Sequence, residues 1–267
     1  MNIYLKLTQD FNQGRLRAII CSGQAVVLHR LAVMSKDGDW VLREDESTLR
    51  HVLGVLESHG ARYRFGAPLD RRWMAAGWSS HFEFRHDKLR IRTDFFTRPP
   101  RIAPADLERI WREQAERDVP FLDLPELAEM KKTNRERDYA VIGELARRMQ
   151  KVDLQILYSR SARDLLALAE KHSDVVERLS DRRPVLRSIA EGRDLLEAAL
   201  DRERRESIRR NERRLEAYAH AAASWYALWP GVEAEIAGLS LGKAHAIVLI
   251  RASGVLPFGV DVPSEGG

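Results

Sequence analysis

The sequence predicts an α+β fold, with strands and helices interleaved over residues 1–150 and a helical region over 151–267. Three observations carry this. Short apolar runs bounded by turn residues alternate with stretches of helical spacing as far as Phe96. Strand signals have stopped before residue 150, which sets a domain boundary there. Beyond it, apolar stripes recur at helical spacing within dense charge of both signs.

Residues 17–21 (RAIIC) read as the first strand. Ser22-Gly23 is a tight turn, and residues 24–31 open a buried helix. Residues 39–42 (DWVL) are a second strand. Glu44, Asp45 and Ser47 then place acceptors and negative charge at a helix start. Leu49, Val52, Leu53 and Leu56 share one face of that helix, and Gly60 ends it. Residues 61–65 are a third strand and 66–77 a loop. Residues 81–85 and 89–96 form a hairpin around His86-Asp87-Lys88. The Arg98-Pro99-Pro100-Arg101 stretch breaks the sheet pattern. Residues 106–116 are an amphipathic helix, 121–124 a short extended piece, and Pro125 opens a helix to about Lys132. From Asn134 the chain is helical nearly to its end. Tyr139, Ile142, Leu145 and Met149 make one stripe; Leu195, Leu196, Ala199 and Leu200 make another. The glycine-bearing tail from Phe258 is expected to be loosely ordered.

Composition narrows the class. The 267 residues are 44% hydrophobic, enough for a real core, so disorder is excluded. The net charge of +4 and isoelectric point near 9.3 suit a nucleic-acid or nucleotide partner without requiring one. Residues 202–214 hold seven arginines against three acids. A lone cysteine, Cys21, rules out an intrachain disulfide and reads as a buried thiol. No apolar run approaches the length of a membrane span, so a soluble, cytoplasmic protein is expected.

The chemistry concentrates in three aspartates. Alternate strand residues point to one face, so Asp37 and Asp39 project together, about 7 Å apart at the backbone. On the strand at 89–96, Asp94 shares a face with Arg90 and Arg92. Clustered carboxylates repel unless a cation neutralises them, and oxygen ligands of this kind suit Mg²⁺ with water and phosphate.

The order is strand, Ser22-Gly23, helix, Asp37-Gly38-Asp39, helix, strand, and a hairpin with Asp94 in Arg92-Thr93-Asp94-Phe95. It resembles the nucleotidyltransferase superfamily, most closely the minimal nucleotidyltransferase-like proteins related to abortive-infection toxins. Ala25 after the turn and the basic stretch at 130–138 belong to the same likeness, which covers about residues 17–147. The resemblance implies a mixed sheet and Mg²⁺-dependent transfer of a nucleotide from a nucleoside triphosphate to a hydroxyl on RNA, protein or a small molecule. It implies Asp37, Asp39 and Asp94 as catalytic residues and metal ligands. Ser22 and Gly23 would cradle phosphate; Lys131, Lys132 and Arg135 would neutralise the triphosphate, with Asp138 orienting one of them. It also brings in a toxin–antitoxin role and an antitoxin partner. Two departures stand out: the turn reads Ser-Gly rather than Gly-Gly or Gly-Ser, and Gly38 replaces the usual apolar residue between the acids.

Plainer readings stand beside these. Asp37 and Asp39 fit a polar turn, and Asp94 an ion pair with Arg90 or Arg92. The basic residues at 131–137 fit a solvated helix face. Gly38 suits a close approach by a ligand, or a decayed site. His29 reads as a satisfied side chain; Trp73 and Trp78 read as core, or as a stacking platform for a base. A catalytically inactive binding module on the same fold is the competing function.

Overall fold

In the computed structural model, residues 2–262 are described. The α+β expectation holds. The chain opens with a helix that the sequence reading did not assign, α1 (Ile3–Phe11), capped by the Asn2 side chain on Tyr4 N–H. Then follow β1 (Ala18–Cys21), α2 (Ser22–Leu28), β2 (Asp37–Leu42), α3 (Glu46–Ser58), β3 (Arg62–Tyr63), α4 (Arg71–Met74), β4 (Ser80–His86), β5 (Leu89–Phe96) and α5 (Pro104–Glu113). The remainder is helical: α6 (Leu124–Met130), α7 (Glu136–Arg148), α8 (Val152–Tyr158), α9 (Ala162–Lys171), α10 (Ser173–Leu179), a 3-10 turn (Pro184–Glu191), α11 (Arg193–Ala221), α12 (Ala223–Glu235) and α13 (Leu241–Ser253). No described helix is long and apolar enough to cross a membrane.

The five strands form one mixed sheet in the order β1-β2-β5-β4-β3. Only β2 and β5 run parallel; the other pairs are antiparallel. One sheet face carries Trp40, Phe82, Ile91 and Phe95, all buried, as strand alternation demands. Phe11 of α1 sets its ring edge-on to Trp40 (5.4 Å) and Phe95 (5.7 Å), and Trp40 stacks on Phe95 at 5.4 Å. Thr8 takes a hydrogen bond from the Trp40 indole at 2.9 Å, so α1 is locked to the strand that carries the aspartates.

The chain makes two compact units, and they do not divide at residue 150. One is the chain up to Leu122 together with Glu216–Val262; the other is Asp123–Leu215. The C-terminal helices belong with the sheet because their aromatic and polar side chains find partners there. Trp225 donates to the Gly66 carbonyl (2.9 Å), Tyr226 stacks on Phe65 (4.0 Å), and His245 meets the Tyr63 hydroxyl (2.7 Å). Trp73 and Trp78 are core residues of this unit. Their indoles donate to the carbonyls of Leu256 and Pro257, just before the expected loose tail, whose first residue, Phe258, sets its ring 4.8 Å from Trp73. The rest of that tail, 263–267, lies outside the described residues. The second unit packs Ile156, Leu165, Leu179, Leu186 and Leu196 together. Within it Arg183 is buried, donating to the carbonyls of Ile156 (2.6 Å) and Ser159 (2.8 Å) and pairing with Glu203 (2.8 Å).

Candidate functional site

Register builds the site. Across the sheet Asp39 stands beside Asp94, and Asp94 beside His81. One step along, Asp37 stands beside Arg92, Arg92 beside Glu83, and Glu83 beside Arg62. With alternation, all of these share the face opposite the aromatic core. The three aspartates and Arg92 are partly exposed there. β2 starts at Asp37 rather than Asp39, so both acids are strand residues and not a polar turn.

Each carboxylate has a distinct setting. Asp37 Oδ1 is buried and has no hydrogen-bond partner; its nearest cation is Arg92 Nη1 at 3.8 Å. Asp39 lies between Cys21 of β1 and Asp94 of β5. Asp94 Oδ1 meets His81 Nδ1 at 2.7 Å and Arg64 Nη1 at 3.3 Å, rather than Arg90 or Arg92. His81 Nε2 in turn faces the Ser79 hydroxyl at 3.0 Å. Glu83 is buried among arginines. Burial pushes its pKa up, but hydrogen bonds from Arg90 and Arg62 outweigh that and hold it below the usual range. Tyr4 donates to the Lys36 carbonyl (2.8 Å), and burial, then the charges of Asp37 and Asp39, raise its pKa.

The turn at the start of α2 explains its own residues. Ser22 sits at φ +52°, a left-handed conformation that costs a non-glycine residue strain and that glycine adopts freely. A Cβ on Gly23 would strike Ser35 Oγ and lie 3.0 Å from Ser35 Cβ. Gly23 therefore lets the loop before β2 close over the helix start. Gln24, also buried, donates to the carbonyls of Ser35 (3.2 Å) and Asp37 (3.3 Å) and fixes that loop. Gly38 has a packing cause. A Cβ there would meet Tyr4 Cδ1 at 2.5 Å and Trp40 Cζ3 at 2.7 Å, so two core rings fill the space and no ligand approaches through it.

The donor set suits a hard cation in part. Asp37 Oδ1, a desolvated acceptor with no donor, is the atom a divalent ion would satisfy. Among the described residues no three His, Cys, Asp or Glu side chains close into a ready-made metal cage. Asp37, Asp39 and Asp94 thus share a face without completing a coordination sphere. A cavity of about 540 Å³ adjoins Asp37, lined by Tyr4, Gln24, Lys36 and Arg92 and by the apolar Val33 and Met34.

Lys131, Lys132 and Arg135 belong to the second unit. There Asp138 is the organiser: its Oδ1 lies 3.6 Å from Lys131 Nζ, and its Oδ2 takes Arg135 (2.9 Å) and the Thr133 hydroxyl (2.6 Å). Lys131 and Asp138 are both buried, so neither is a solvated helix face. Lys132 pairs with Glu129 at 2.7 Å and rests over the Tyr158 ring. His29 contacts the Leu122 carbonyl at 2.9 Å, and Cys21 is buried. His81, Arg64, Tyr4 and Gln24 escaped the sequence reading. His81 and Arg64 come within reach of Asp94 only through strand pairing, although the phase of 81, 83 and 85 was open to inspection.

No family model and no curated protein matches the chain. Among solved structures it is similar to the crystal structure of a "putative nucleotidyltransferase from H. pylori", at 13% identity and a TM-score of 0.39, over 79% of this chain and 95% of that one. That likeness is too distant to carry an argument about chemistry, which rests on the chain's own geometry.

Proposed function

We propose that the chain is a nucleotidyltransferase-like protein whose site is the charged sheet face, and that it transfers a nucleotide from a nucleoside triphosphate to a hydroxyl acceptor. The observation that carries this reading is the buried, unpartnered Asp37 Oδ1 beside Asp39 and Asp94 on one face. Asp37, Asp39 and Asp94 are the residues that would hold Mg²⁺. The ion would neutralise the triphosphate and the leaving pyrophosphate. The chain's own groups do the rest. The amides of Ser22 and Gly23 are donors for phosphate oxygens. Asp94, oriented by His81 and Arg64, is the carboxylate to take the acceptor proton. RNA or protein acceptors and a toxin–antitoxin setting follow from the family resemblance.

A second reading, a binding module without catalysis, is favoured by the arginines. Arg64 takes Asp94, Arg92 faces Asp37, and Arg62 and Arg90 cover Glu83. The test is incubation with each of four α-labelled nucleoside triphosphates, Mg²⁺ and total tRNA. Mg²⁺-dependent label on tRNA or protein supports the enzyme. Mg²⁺-dependent binding without transfer supports the module, and neither binding nor transfer sinks both.

A further inference from the structure

A larger cavity, about 730 Å³, lies beyond the other end of the parallel pair β2/β5. Asp37 opens β2 and pairs with Arg92 in the middle of β5; Glu44 and Arg98, which line the cavity, follow the ends of these strands. From Asp37 to Glu44 the extended chain travels about 20 Å. The cavity is therefore separate from the charged face.

The cavity's charges do not cancel. Glu44 is answered by Arg98 through two hydrogen bonds (2.7 and 2.8 Å) and by the Thr97 hydroxyl (3.0 Å). Asp70 is answered by the Arg72 side chain (2.8 Å) and backbone N–H (2.9 Å). Glu46 is exposed at the rim. Arg50 and Arg71 remain, both exposed; neither forms an ion pair among those described, although the charge of Arg71 also reaches Glu44.

His245 adds a neutral donor. Leu69 N–H donates to the Tyr63 hydroxyl (3.2 Å), and that hydroxyl meets His245 Nδ1 at 2.7 Å. When the phenol donates to Nδ1, the Leu69 N–H and the buried phenol hydrogen both have acceptors, and the ring proton is left on Nε2. Burial lowers the pKa of this ring, against the charge of Asp70. Leu49, Leu53 and Leu69 supply an apolar wall.

We propose that this cavity binds a small phosphorylated molecule with an apolar body. Its phosphate lies between Arg50 and Arg71, with His245 Nε2–H as a neutral donor, and its body lies against Leu49, Leu53 and Leu69. Two guanidinium groups match a phosphomonoester dianion in charge and geometry. The leucines reward a carbon skeleton that inorganic phosphate lacks.

The experiment is calorimetric titration of the full chain with phenyl phosphate and, in parallel, inorganic phosphate. It is run in EDTA, so no divalent ion occupies the carboxylate face and failure here does not bear on nucleotidyl transfer. Phenyl phosphate should bind with a Kd at or below about 1 mM, and more tightly than inorganic phosphate. The paired change Arg50→Glu with Arg71→Glu should weaken it at least about tenfold. Arg112→Glu, at an exposed arginine of α5 outside the cavity, should leave it unchanged. Absence of binding up to about 10 mM, equal affinity for both phosphates, or equal loss with Arg112→Glu overturns the proposal.

Discussion

Gly38→Ala is expected to destabilise the sheet unit, and the structure gives the magnitude. The added Cβ would lie 2.5 Å from Tyr4 Cδ1 and 2.7 Å from Trp40 Cζ3, with Trp40 Cη2 closer still. Carbon atoms prefer about 3.5–4.0 Å, so a ring has to retreat by about 1 Å. Neither ring is free to do so. Trp40 is fully buried, stacked on Phe95 and bonded through its indole to Thr8. Tyr4 is held by its hydroxyl on the Lys36 carbonyl. Overpacking of this kind costs up to about 3 kcal/mol. Replacing glycine returns about 0.4–1 kcal/mol by restricting the unfolded chain. The net loss is about 2 kcal/mol, seen as a lower urea midpoint by tryptophan fluorescence with the slope unchanged. Trp40→Phe removes the ring edge that collides. In a double-mutant cycle the two changes should therefore couple favourably by about 1 kcal/mol or more. A Gly38→Ala protein as stable as the parent, or a cycle with no coupling, would refute the packing account and reopen the close approach of a ligand at Gly38.

Asp39→Ala should fold at parent stability or slightly above, because it relieves repulsion among carboxylates, yet lose Mg²⁺-dependent nucleoside triphosphate binding by calorimetry; unchanged affinity would count against the metal site. Glu203→Gln leaves the buried Arg183 and the part-buried Arg160 with no carboxylate between them, and burial, then Arg183, already lowers the Arg160 pKa to about 10. Its cost should be about 3–5 kcal/mol in urea unfolding, and a loss below about 1 kcal/mol would show the cluster to be solvated. Stability should also fall in acid. Burial raises Glu44, Asp70, Glu83 and Glu203, but arginine hydrogen bonds outweigh it and depress all four. Depressed carboxylates stabilise fully above their unfolded values and lose that stability as pH falls through the folded ones. The urea midpoint should therefore hold down to about pH 5 and drop steadily below about pH 4, and a midpoint flat to about pH 3 contradicts this.

Strand alternation has a period of two and is set by neighbouring residues alone, so it was legible that Asp37 faces with Asp39, and Asp94 with Arg90 and Arg92; that the two sets share one face waited on the pairing of β2 with β5. The helical character of 151–253 was legible for the same local reason. Pairing decided the rest. β2 runs beside β5, and β4 beside β5, through contacts distant in sequence, and only these bring His81 and Arg64 to Asp94. α1 was illegible because its nine residues are a marginal helix alone; its order comes from burying Tyr4, Leu7 and Phe11. Gly38 looked like a place for a ligand because its space is filled by Tyr4, thirty-four positions away, and by the Trp40 ring turned back on it. The domain limits also waited on tertiary structure. Nothing local marks α12 and α13 as partners of the sheet; Trp225 joins it because burial leaves its indole N–H no water to bond, and His245 because it answers the buried Tyr63 hydroxyl.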